Sequence, residues 1–320
     1  GRLCRPLIAK RGQTIRAKAM YQSSAIRSSI ASRTRAKGRK LSPSVRAQIR
    51  LMFDAPYYAG RYELADSVGA FDHFLQTGLY EGFSPSPVFD SAWYAARYLT
   101  ESGIETLPII DFLEAGHKEG RSPHPLFDLN WYAKHNALAT ASGHNLLLHF
   151  LSSEPADLKS PHPLFDASWY LRQYGDVANA GVNPLVHFLK FGAAELRQPS
   201  PLFDTARYVQ ANPSLGSSGE NPLVHFVEKG RLSAGDATEH FDTFWYLRQY
   251  PDVAEAKVHP LVHYLQHGAE EGRDPSPRFS TNWYKEQNPD VVAAGVNPLM
   301  HYAAAGSKEG RSPHPWAVSV

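Results

Sequence analysis

Four kinds of chemically capable side chain recur at fixed intervals in this chain. Histidine stands at His73, His149, His187, His225, His263 and His301, with Asp111 in the matching place between the first two. Neutral imidazole donates through one ring nitrogen and accepts through the other, so such a row suits polar packing, proton sensing or metal ligation. Asp54, Asp90, Asp128, Asp166, Asp204 and Asp242 make a second row, which ends in Ser280. Carboxylates in a row could hold a hard cation, but aspartate and serine oxygens also cap the free amides of a helix start. Serine is a poor cation ligand, so Ser280 favours the capping reading and is expected to cap as aspartate does. A third row pairs tryptophan with tyrosine, as at Trp169–Tyr170, Trp245–Tyr246 and Trp283–Tyr284. Such rings stack on sugars or bases, or fill a core between repeats, which is the favoured reading here. Arg207 replaces the tryptophan once and is expected to mark a local surface opening. The fourth feature is Glu-Gly-Arg at 119–121, 271–273 and 309–311, suited to an anion or, as favoured, to ion pairs between repeats beside a turn.

Repetition itself weighs against catalysis, because an active site needs a group present once, in one asymmetric place. A metal site needs its ligands to converge within about 2.1 Å of one ion, whereas equivalent residues of stacked helices lie about 8–10 Å apart. The sequence has no G-x-G-x-x-G, G-x-x-x-x-G-K, H-E-x-x-H or G-x-S-x-G pattern. Cys4 is a lone cysteine without a placed histidine partner, which also excludes a disulfide framework or a cysteine-rich zinc site. Asp166, Trp169, His187, Asp242, Trp245, His263, Trp283 and His301 are therefore assigned to a structural ladder. No catalytic, cofactor-binding or metal-binding residue is assigned, and no cofactor is expected.

The elements that carry these rows follow from one period. Phe53, Phe89, Phe127, Phe165, Phe203, Phe241 and Phe279 are spaced by 36 and then five times by 38 residues. Each unit reads as three short helices. The first follows the aspartate; the second starts with a cap and proline, as at Asn288-Pro289-Asp290, and stops at a left-handed glycine such as Gly181 or Gly295. The third starts at Asn183-Pro184, Asn221-Pro222 or Asn297-Pro298, and Gly192, Gly230, Gly268 and Gly306 are expected to close it. Leu185, Phe188 and Leu189 give it an apolar stripe. Helices of about six to ten residues are unstable alone, so the units must stack. The expectation is an all-α fold: an α-solenoid of about seven 38-residue repeats over 53–316, with a basic arm at 1–52 and a short tail at 317–320. Trp316 fills the slot of Leu126, Leu164 and Leu202, which predicts an exposed apolar end face around the seventh unit or further protein beyond it.

The whole chain has 320 residues, 42% hydrophobic and 20% charged, enough to bury a core, and it has neither an 18-residue apolar run nor a secretory leader pattern. Its net charge of +2 conceals a division. Residues 1–50 hold 14 of the 33 Lys/Arg and none of the 31 Asp/Glu, which leaves the other 270 residues at −12. Arg33, Arg35, Lys37, Arg39 and Lys40 cluster in that arm and are, with Arg207, the candidate partner contacts. The arm's composition suits a solvated, partly helical linker, an organellar transit peptide, an anionic lipid surface or nucleic acid. Nucleic acid is the weakest of these readings. A start at Gly1 rather than Met argues against the transit peptide and for processing or a piece of a longer polypeptide.

The segments Phe-Asp-x-x-Trp-Tyr-Leu, Tyr-Pro-Asp-Val-Ala, Asn-Pro-Leu-x-His-Tyr-Leu and Gly-Ala-x-Glu-Gly-Arg-x-Pro-Ser-Pro-Leu resemble repeats that accompany bacterial glycosyltransferases and rhamnan-synthesis-type surface-polysaccharide proteins. The resemblance spans 53–316 and is sharpest in units 4, 6 and 7. Unit 3 departs with Leu138 and Glu154, unit 5 with Ser214 and Ala237-Thr238-Glu239, and unit 1 lacks the Asn-Pro start. It implies a context of cell-surface glycan assembly and carries over no catalytic residue. The expected function is a non-catalytic scaffold or binding module whose partner is a protein or the glycan-assembly machinery, placed in the cytoplasm at the inner membrane face. The alternatives are a fragment of a glycosyltransferase polypeptide whose catalytic domain lies outside this chain, and binding of nucleic acid or a membrane surface through the arm.

Overall fold

An aspartate opens each of the first six units by closing a helix start. Asp166 Oδ1 accepts the Trp169 amide at 2.9 Å and Asp242 Oδ1 accepts that of Trp245 at 2.9 Å. The helices that follow are seven residues long in units 3 to 7, as in Ala167–Gln173 and Thr243–Gln249. Ser280 departs from the expectation: its side chain makes no capping bond to Thr281–Gln287.

The structure, a computed structural model, describes residues 41–65, 69–100, 106–231 and 237–316. Among them the chain is all-α, with short helices joined by turns, isolated bridges such as Ser200–Phe203 and no strand. The second helix of a unit has five residues, as in Gly175–Asn179 and Pro289–Ala293, and ends near Gly181 (φ 60°) or Gly295 (φ 65°), where a side chain would be strained. Asn288 does not cap it. Its amide nitrogen donates instead to the Tyr284 carbonyl at 2.8 Å, and its Oδ1 accepts from Arg311 at 2.9 Å. The third helix is capped by asparagine, as Asn183 Oδ1 accepts the Leu185 and Val186 amides at 3.1 and 3.2 Å.

That third helix changes character midway. Pro184–His187 is α-helical, and Phe188–Gly192 continues as a π-helix, with the same change at Phe74–Gly78, Phe112–Gly116, Tyr264–Gly268 and Tyr302–Gly306. Gly192, Gly268 and Gly306 end these segments, and Gly230 follows Pro222–Lys229, as the sequence predicts. Their backbone is ordinary, and the reason for glycine is closeness: a Cβ at Gly192, Gly268 or Gly306 would overlap the hydroxyl of Tyr170, Tyr246 or Tyr284. The left-handed stop lies four residues further on, at Gly272 (φ 73°) and Gly310 (φ 71°).

The core is a row of phenylalanines and tyrosines. Phe127, Phe165, Phe203, Tyr132, Tyr170, Tyr208, Tyr246 and Tyr284 are fully buried. The adjacent Trp131, Trp169, Trp245 and Trp283 are only half-buried, so the packing role expected of both rings belongs to the tyrosine. One backbone bond recurs inside each unit and ties its start to the loop that ends it: the Asp166 N–H donates to the Pro199 carbonyl at 3.0 Å, Asp242 to Pro275 at 3.1 Å and Ser280 to Pro313 at 2.9 Å.

Candidate functional site

The tyrosine buried in the core is the partner of the histidine ladder. Tyr170 Oη and His187 Nδ1 share a hydrogen bond of 3.0 Å, and the bond recurs at Tyr132–His149 (3.0 Å), Tyr208–His225 (2.8 Å), Tyr246–His263 (3.0 Å) and Tyr284–His301 (2.8 Å). Each pair spans 17 residues within one unit, because the first helix leads the tyrosine inward and the third brings the histidine over it. Burial pushes the His187 and His263 pKa values down and the Tyr132 hydroxyl up to about 12. Unit 2 does the same work with other chemistry: the Tyr94 hydroxyl donates to Asp111 Oδ2 at 2.6 Å, and Arg121 binds that oxygen at 2.8 Å.

The Glu-Gly-Arg runs, and Glu195-Leu196-Arg197 at the same place in unit 4, form ion pairs inside a unit rather than between units. Arg197 grips Asp176 with two bonds of 2.8 and 2.7 Å, holds Glu195 at 2.6 Å and lies 4.8 Å above the Tyr174 ring. Arg273 repeats this on Asp252, Glu271 and Tyr250. Arg311 binds Asp290, Glu309 and Asn288. Asp176 is held down to about 2 by the Arg197 hydrogen bonds. These guanidiniums are occupied by carboxylates of their own unit.

The aspartate caps have a second oxygen, and some use it across the molecule. Asp54 Oδ1 accepts the Tyr57 amide while Oδ2 accepts from Lys190 Nζ at 2.8 Å, 136 residues away. Asp128 Oδ1 accepts the Trp131 amide and Oδ2 accepts from Gln266 at 2.8 Å, 138 residues away. Lys134 and Glu270 pair at 2.9 Å over 136 residues, and the helix Pro43–Met52 packs on Leu146–Ser152. Units about three and a half periods apart therefore meet.

Where units 2 and 3 face units 5 and 6 they leave a cleft of about 550 Å³, lined by Trp93, Arg97, Glu228 and Lys257 and by five histidines, His124, His162, His259, His263 and His267. It mixes both charge signs with imidazoles and one indole. No cluster of three or more His, Cys, Asp or Glu able to hold a metal occurs among the described residues. The histidines of the cleft's interior went unnoticed in the sequence, since His124 and His162 sit in proline-rich loops outside the ladder. Their signal was a loop position held by histidine in units 2, 3 and 7 and by serine or threonine in the others.

Of the residues assigned to the ladder, Asp166, Trp169 and His187 share unit 4, Asp242, Trp245 and His263 share unit 6, and Trp283 and His301 share unit 7; His263 lines the cleft, as does Asp128 of the aspartate row. Arg207 is exposed, its amide bound by Asp204 at 3.0 Å. Arg33, Arg35, Lys37, Arg39, Lys40 and Cys4 lie outside the described residues. No helix among the described residues is long and apolar enough to cross a membrane. No protein-family model, curated protein or solved structure matches the chain.

Proposed function

We propose that this chain is a non-catalytic helical-repeat scaffold that presents an extended surface to the machinery of bacterial cell-surface polysaccharide assembly. One observation carries the non-catalytic half: the side chains able to do chemistry are spent on one another, unit after unit. The ladder tyrosines pair with histidine or Asp111, Arg197 and Arg273 are each held by two carboxylates, and the Asp166 and Asp242 carboxylates are engaged by helix amides. The recurrence of one internal backbone bond in all seven units, and the bonds by which the Thr205 and Thr281 hydroxyls donate to the Arg197 and Arg273 carbonyls of the preceding unit, support a solenoid of seven units. The contacts 136 to 138 residues apart support a coil that returns on itself every three and a half units or so. The polysaccharide context rests on the resemblance of the repeat segments alone.

Two measurements test this reading. Sugar-nucleotide turnover by the purified chain overturns it, whereas recovery of a polysaccharide glycosyltransferase with the tagged chain from a bacterial host supports it. The arm at 1–52 is proposed to hold the scaffold near an anionic membrane at the cytoplasmic face. Loss of binding to phosphatidylserine vesicles on deleting residues 1–50 is the expected result, and unchanged binding refutes that role.

A further inference from the structure

Three histidines of the cleft stand outside the tyrosine–histidine ladder. His124 and His162 are almost wholly buried in Pro-His-Pro loops, at a position that is serine in units 1, 4 and 6 (Ser86, Ser200 and Ser276). Each turns its Nδ1 onto its own loop: His124 accepts the Leu126 amide at 3.0 Å and His162 accepts the Leu164 amide at 3.1 Å. An imidazole accepting at Nδ1 must keep that nitrogen unprotonated, so a doubly protonated ring breaks the bond. His259 is the third. It stands where Asn183, Asn221 and Asn297 cap the third helix in other units, makes no capping bond, and has no hydrogen-bond partner at either ring nitrogen. Its ring instead meets Phe226 edge-on at 4.5 Å, one of the contacts that join unit 6 to unit 5. Losing a cap and burying two unpaired nitrogens both work against local stability.

We propose that His124, His162 and His259 form an acid-operated joint in this cleft, closed while all three rings are neutral and opening between units 2–3 and units 5–6 when they take up protons. The three rings lie within one another's fields in sequence, His124 acting on His162 and His162 on His259. Burial drives His124 and His162 down to about 4 and His259 to about 3. At His124, Asp90 favours the charged ring and Arg61 opposes it; at His162, Asp128 favours and His124 opposes; at His259, His162 and Arg231 oppose and the Phe226 backbone favours. Arg97, Tyr98, Glu228, Lys257, His263 and His267 complete the charged and titratable lining. Burial outweighs the two carboxylates in every case.

The direction in pH follows. In an opened joint each ring returns toward about 6.5, so opening takes up protons. Closure is insensitive to pH above about 7, weakens as pH falls through 6.5 toward about 4, and weakens no further below the closed-state values. Each histidine favours opening by up to about tenfold per pH unit in that window, and the three together by up to about a thousandfold.

The test is amide hydrogen exchange on the full chain at pH 7.5 and 5.2, corrected for intrinsic exchange and followed over the helices 222–229 and 260–268. The expected result is lost protection at pH 5.2 in the native chain and none lost in the triple variant His124→Ser, His162→Ser, His259→Asn. These replacements are the residues other units already use at the same positions. Unchanged protection in the native chain, or equal loss in the triple variant, overturns the joint. If circular dichroism shows the triple variant misfolded, His259→Asn alone decides. Its pH slope must be shallower by about one proton, tenfold per unit, with higher protection at pH 7.5 from the restored cap; an unchanged slope overturns the proposal.

Discussion

Units 4 and 6 and units 3 and 5 share one hydrogen-bonded core and differ in how their last helix is finished. In all four a fully buried tyrosine meets the ladder histidine: Tyr170, Tyr246, Tyr132 and Tyr208. In units 4 and 6 the third helix widens into a π segment that ends at Gly192 or Gly268, and an arginine returns to clasp the second helix at Asp176 or Asp252. Unit 3 has Glu154 in the glycine's place and Leu138 in the aspartate's. Its helix Leu146–Ser152 stays α, a 3₁₀ turn Pro155–Asp157 follows, and Leu138 is 90% exposed. Unit 5 has Ser214 for the aspartate, its helix Pro222–Lys229 also stays α, and Arg231 reaches into unit 6, to the Ala254 and Val258 carbonyls at 2.8 and 3.0 Å. The π segment and the arginine clasp thus occur together in units 4 and 6 and are lost together in units 3 and 5, while the tyrosine–histidine bond survives. The clasp is a finishing device, and the buried bond is the common frame.

That comparison is broken most severely at the frame. Tyr170→Ala and Tyr132→Ala should each cost about 3–5 kcal/mol, equally in both kinds of unit. Urea denaturation checks this, and a much smaller loss in unit 3 means its core is held otherwise. Gly192→Ala comes next, at about 1–3 kcal/mol, because its methyl would meet the Tyr170 hydroxyl. Tyr170→Phe in the same chain should recover most of that loss, and its failure to do so shows that the glycine serves another purpose.

Smaller changes sharpen the contrast. Ser280→Asp should add about 1 kcal/mol by supplying the missing cap of Thr281–Gln287, read as a raised midpoint in thermal melts. Grafting the clasp onto unit 3 with Leu138→Asp and Lys159→Arg should add about 0.2–1 kcal/mol, as expected of an exposed pair. The native clasp has a pH signature of its own. Because Asp176 titrates lower when folded, near 2, its contribution is present above its usual value of 3.8 and fades as pH falls below that. Asp176→Asn should therefore lower the melting temperature at pH 7 and have progressively less effect toward pH 2, whereas an effect independent of pH rules out the carboxylate as its source.

Much of the local structure was legible because its causes are local. Asp166 and Asp242 cap helices since the oxygen that accepts and the amide that donates are three residues apart, and Asn183-Pro184 starts a helix for the same reason. Gly181 and Gly295 stop one because only glycine enters that conformation freely. The misreadings share an origin as well. Asn288 looked like a cap, but its side chain is claimed by the Tyr284 carbonyl and Arg311; Gly192 does end its helix, but glycine is required there by a hydroxyl 22 residues earlier. Glu-Gly-Arg suggested a bridge between units, and Arg273 turns back 21 residues to Asp252 of its own.

The amino-acid order by itself determined the period, the helix starts and the all-α character, because each depends on bonds between residues a few positions apart. Only the tertiary structure decided which ring of the Trp–Tyr pair is buried, which oxygen of Asp54 and Asp128 reaches across the molecule, and that His124, His162 and His259 share one cleft. Those outcomes depend on how far the chain turns from one unit to the next. That angle is the sum of many small packing choices, and no single residue encodes it.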